Sequence, residues 1–123
     1  MHSRAANMYR RVDLDSAPLP QVLERLFDRF LQDLVVARDA IAASDIQTKA
    51  NAINHAMRIV AELTAALDHP AAPELCANLE ALYGFVIDRL TECNTTLSLE
   101  ALDQANKLMA DLGATFRQAH ASR

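Results

Sequence analysis

An all-α fold is predicted: an antiparallel up-down-up-down four-helix bundle preceded by a flexible N-terminal arm. Three observations predict it. Ala and Leu, which lose least on entering a helix, supply 23 and 17 of the 123 residues. Two Gly and four Pro are too few for the turns of a β-sandwich or barrel. Apolar residues recur at helical spacing in four blocks separated by short breaks, so consecutive helices must reverse direction. At 123 residues a single domain can bury a core without metal or disulfide staples.

Residues 1–17 are polar and aperiodic, with Met8, Tyr9, Val12 and Leu14 as apolar handles, and read as the arm; residues 18–120 hold the bundle. Pro18-Leu19-Pro20 suits a helix start, where a missing amide donor costs little. The first stripe runs Leu23, Leu26, Phe27, Phe30, Leu34 and Ile41, with Arg25, Asp28, Arg29, Asp33 and Arg38 between as a solvated face. Ser44 and Asp45 offer oxygens to cap the second helix, whose stripe is Ile46, Ala50, Ile53, Met57, Val60, Leu63 and Leu67. Asp68 to Pro73 breaks the pattern, since an interior proline loses a donor and clashes with the preceding turn.

The third stripe, Leu75, Leu79, Leu82, Val86, Leu90 and Cys93, is doubled in width by Cys76, Tyr83 and Ile87. One stripe is what a bundle helix buries, so the excess calls for a cover: the arm, a second copy or a partner segment. Asn94-Thr95-Thr96 reads as a short connection and Ser98 as the next cap. Leu99, Leu102, Ala105, Met109, Leu112 and Phe116 form the last stripe.

Charge and motif content narrow the function. Lys and Arg number 12 against 16 Asp and Glu, a net charge of −4 that argues against nucleic acid as a partner. No apolar run approaches the ~20 residues of a membrane span, and residues 1–11 lack the apolar centre of a signal peptide. A cytoplasmic protein without membrane insertion is expected. Cys76 and Cys93 fall on one helix about 25 Å apart, out of disulfide reach, and read as small apolar fillers.

No Glu precedes a His by three residues, so a di-iron site is not expected, and no haem or phosphate-loop motif occurs. No enzyme activity, metal or cofactor is expected. His55-Ala56-Met57-Arg58 sets a cation one turn after a histidine, similar to the pattern of histidine phosphotransfer domains; phosphotransfer through His55 is one alternative. A structural bundle whose spare apolar face makes a homodimer is another.

The order of motifs resembles the FliS family of flagellar secretion chaperones. The resemblance begins at Met8-Tyr9 and continues through Leu26-Phe27-Asp28, Lys49, Ile53 to Val60, and Leu67-Asp68. Its most specific part is Asn78-Leu79-Glu80-Ala81-Leu82-Tyr83-Gly84-Phe85-Val86-Ile87-Asp88-Arg89-Leu90, followed by Asn94. Departures are Pro18-Leu19-Pro20 for the usual Ser-Pro, a short arm, Gly84 at a position of larger residues, and Phe116 near the place of a tryptophan.

The resemblance implies a bundle that binds the C-terminal segment of flagellin, keeps it from polymerising and helps deliver it to the flagellar export gate. It implies Tyr9 as the arm's anchor over a groove. It also implies partner binding by Asn78, Leu79, Leu82, Tyr83 and Val86 of the third helix, and by Ile53, Met57 and Val60 of the second.

Overall fold

In the computed structural model of this chain residues 19–121 are described; the arm, and Tyr9 with it, lies outside them. Four helices follow in order: α1 (Leu19–Ala42), α2 (Ile46–Ala65), α3 (Pro73–Thr96) and α4 (Leu99–Ala121). Each packs on its sequence neighbours, and α1 closes the ring against α4. The connecting segments, 43–45, 66–72 and 97–98, are too short for anything but antiparallel neighbours. The predicted bundle is therefore observed.

Its interior is filled by one large side chain per turn from every helix. Leu23 and Phe30 come from α1, Ile53 and Leu63 from α2, Tyr83 and Leu90 from α3, and Leu102 and Met109 from α4. Each such burial is worth about 1.5–3 kcal/mol, which is what holds the four rods together. Phe27 meets Phe116 across the α1–α4 seam at 6.2 Å between ring centres. Gly113 permits this approach, because a Cβ there would lie 3.2 Å from the Phe27 side chain.

The helix ends divide their labour differently from the sequence expectation. Asp45 alone caps α2, accepting from the Thr48 amide at 3.1 Å and from its hydroxyl at 2.7 Å. Ser44 instead closes α1: its φ of 59° is left-handed, and amide bonds from Ser44 to Ile41 and from Asp45 to Ala40 satisfy the last carbonyls. Ser98 caps α4 as expected, accepting from the Ala101 amide. Asn94, Thr95 and Thr96 are not a connection but the last turn of α3. There the threonine hydroxyls donate back to the Thr91 and Glu92 carbonyls, and Lys49 reaches across from α2 to Asn94.

The Thr48 hydroxyl, then its amide, hold the Asp45 carboxyl below the ordinary value of 3.8. A depressed folded-state pKa means that this cap contributes at neutral pH and fades as pH falls through that lowered value. Asp45→Ala should therefore lower the urea midpoint near neutral pH, and the gap from the parent chain should close in strong acid. An undiminished gap in acid would rule out the charged cap.

One charged position differs from the solvated-face expectation, and one exposed pairing joins α1 to α4. Asp33 is buried, 8% exposed, with one carboxylate oxygen 2.5 Å from His55 Nδ1 on α2. Arg117 of α4 sits between Glu24 and Asp28 of α1, at 3.1 Å from each, and relieves the like-charge spacing of those two acids. Gly84, mid-α3 and exposed, has open space where a Cβ would stand. Gly84→Ala should raise unfolding stability by about 1 kcal/mol, read from urea denaturation, because only backbone freedom is lost.

Candidate functional site

The double-width stripe of α3 resolves into a buried seam and two flanks. Cys76, Tyr83, Val86, Leu90 and Cys93 form the seam. Burial pushes both thiols up, so they stay protonated as packing groups. On one flank Leu79 and Ile87 pack part-buried against the core. On the other, Asn78, Leu82, Phe85 and Arg89 fall at spacings of four, three and four, along one outward line.

That outward line borders an open groove between α3 and α4 of about 910 Å³. Leu82, Phe85 and Leu108 supply its apolar surface; Glu100, Asp103, Gln104, Lys107 and Asp111 form its polar edge. The edge is held in place by bonds of its own. Lys107 pairs with Asp111 at 3.2 Å, Arg38 of α1 pairs with Asp103, and Arg89 reaches Gln104 at 3.5 Å. The Arg89 guanidinium also lies 5.9 Å from the centre of the Phe85 ring. Phe85 remains 45% exposed, an aromatic left on the surface of its own bundle.

A second, smaller cleft of about 500 Å³ lies on the other side of α3, against α2. Val60, Ala61, Thr64, Tyr83, Gly84 and Ile87 are among the residues that line it. The sequence-predicted partner residues thus divide. Asn78 is exposed and Leu82 half-buried on the groove line, while Leu79 and Met57 are half-buried against the core.

Ile53, Val60, Tyr83 and Val86 are 0–1% exposed and belong to the core in this conformation. Val60 and Tyr83 also line the smaller cleft. Phe85 lines the groove, although the sequence reading does not single it out. The signal was there: it lies three residues after Leu82 and seven after Asn78, on one helix line.

His55 is 35% exposed at its side chain and its Nδ1 faces the buried Asp33 carboxylate, with Arg29 Nε 3.9 Å from the other oxygen. This makes the pair an α1–α2 contact. Among the described residues no group of three or more His, Cys, Asp or Glu side chains could hold a metal ion. No helix there is long and apolar enough to cross a membrane.

Comparisons with known proteins agree with this architecture. The profile of the family described as "Flagellar protein FliS" matches residues 1–123. The chain is 30% identical over 115 residues to the flagellar secretion chaperone FliS of Salmonella typhimurium, covering 89% of this chain and 85% of that one. It is 30% identical over 113 residues to the flagellar secretion chaperone FliSB of Pseudomonas aeruginosa, covering 89% and 90%. A crystal structure of a flagellar chaperone from bacteria superposes with a TM-score of 0.79 over 92% of each chain, at 16% identity.

Proposed function

This chain belongs to the FliS family of flagellar secretion chaperones, and from that premise we propose that it works in the cytoplasm on the C-terminal segment of flagellin. The segment lies in the α3–α4 groove, is kept from polymerising there, and is handed on to the flagellar export gate. Members of a chaperone family are not enzymes, and no residue of the groove is asked to do chemistry.

The observation that carries this reading is Leu82 and Phe85 lining an open groove together with Leu108. An amphipathic tail laid there buries its apolar side against Leu82, Phe85 and Leu108 while its polar side stays in water, the helix-in-groove mode of recognition. A disordered tail loses chain entropy on docking, so a long contact can remain weak enough to release at the export gate. The test is calorimetry of the full chain with about 40 C-terminal residues of the same organism's flagellin, about the length needed to run along the bundle and back. Saturable binding is expected. Equal binding of an unrelated amphipathic helix would reduce the groove to an adhesive surface and end the proposal.

A further inference from the structure

The helical stripes place Ile46 and Leu99 at the heads of buried faces, yet both are left outside the core, at 54% and 42% exposed. They lie at the same end of the bundle, where the α1–α2 and α3–α4 turns meet. The Lys49 ammonium fixes that geometry by bonding the Asn94 carbonyl and side chain at 2.9 and 2.8 Å. Ile46 stands one turn beyond Lys49, and Leu97 three residues beyond Asn94. Leu97 itself is 40% exposed and takes a left-handed backbone, φ 62°. Glycine there would be less strained, yet the position carries a branched alkyl group with two-fifths of its surface in solvent.

The surroundings of these three side chains are acidic. Asp39, Asp45 and Glu92 are exposed within about two turns of this end. The neighbouring cations are already engaged: Lys49 is buried on Asn94 and Arg38 is paired with Asp103. An apolar tip with exposed carboxylates near it repels its own copy and attracts the opposite charge pattern.

We propose that this end of the bundle is a second docking surface, separate from the α3–α4 groove, for a partner helix whose apolar face is flanked by Lys and Arg. Ile46, Leu97 and Leu99 take the partner's apolar residues, and Asp39, Asp45 and Glu92 meet its cations. Because it lies apart from Leu82 and Phe85, it can be occupied while the groove holds cargo.

The probe is a synthetic helix of about 18 residues with leucines on one face and lysines beside them, compared with the same helix carrying glutamates. It is titrated into the isotope-labelled full chain and followed by amide shifts. Shifts around Ile46, Leu97 and Leu99 with the lysine helix, and none with the glutamate helix, are the expected result. Leu97→Gly should bind about fivefold more weakly while its amide spectrum stays that of the folded chain, a combination that lost folding cannot produce. Asp39→Asn with Glu92→Gln should weaken binding and flatten its dependence on salt. Shifts confined to Leu82, Phe85 and Leu108, equal binding of both helices, or unchanged affinity in Leu97→Gly would each overturn the proposal. So would self-association of the chain that Ile46→Ser abolishes, since a second copy would then own the surface.

Discussion

Phe85→Ala is expected to weaken capture of the flagellin tail about thirty-fold, or about 2 kcal/mol, the loss usual for a central aromatic anchor. Its stability should barely move. The ring is 45% exposed and rests under the Arg89 guanidinium rather than in the core, so truncation opens no cavity. Leu82→Asp should be at least as damaging, because it sets a carboxylate on the apolar surface where the tail must shed water. Val35→Ala is the control: Val35 is 50% exposed on α1, away from the groove, and should bind as the parent does. Calorimetry on the four proteins with one peptide decides the matter. Equal affinities for parent and Phe85→Ala would remove the tail from this groove; a parallel loss in Val35→Ala would point to indiscriminate stickiness.

The same residues explain how far the sequence could be read. Helix existence was legible because it is local: the stripes of Leu23 to Ile41 and Ile53 to Leu67 repeat every three or four positions, and Asp45 and Ser98 cap the turns that follow them. Periodicity cannot say where a bundle stops being deep enough to bury its stripe. Ile46 and Leu99 continue the pattern in sequence but sit past the last layer of the core.

Contacts between distant residues were hidden for a different reason. Asp33 reads as one more solvated charge until α2 brings His55 to it, 22 positions away, and Asn94 reads as a loop residue until Lys49 arrives from 45 positions away. The groove fell between these cases. Its line on α3 obeys helical spacing, but a broad apolar surface gives no mark of which flank faces inward. The core claimed Tyr83 and Val86, and left Leu82 and Phe85 outside.

Lys49 carries the second large effect. Its position in the first turn of α2 is unfavourable for a cation, because the helix's positive end lies there. Its head, however, lies at the C-terminus of α3, where unsatisfied carbonyls concentrate negative potential, and it donates to two oxygens of Asn94. The side chain is 5% exposed, so removing the ammonium leaves the Asn94 carbonyl without that donor in a site with little access for water.

Lys49→Met keeps most of the stem's volume and deletes only the charge and its bonds; a loss of about 2–3 kcal/mol in urea unfolding is expected. Lys49→Ala should lose more, since a void is added. Asn94→Ala should be milder, because the main-chain carbonyl still receives its bond. Combining Lys49→Met with Asn94→Ala should cost less than the sum of the two, as partners in one contact do. Strict additivity would mean that the end of α3 is held by its threonine hydroxyls alone, with Lys49 a buried passenger.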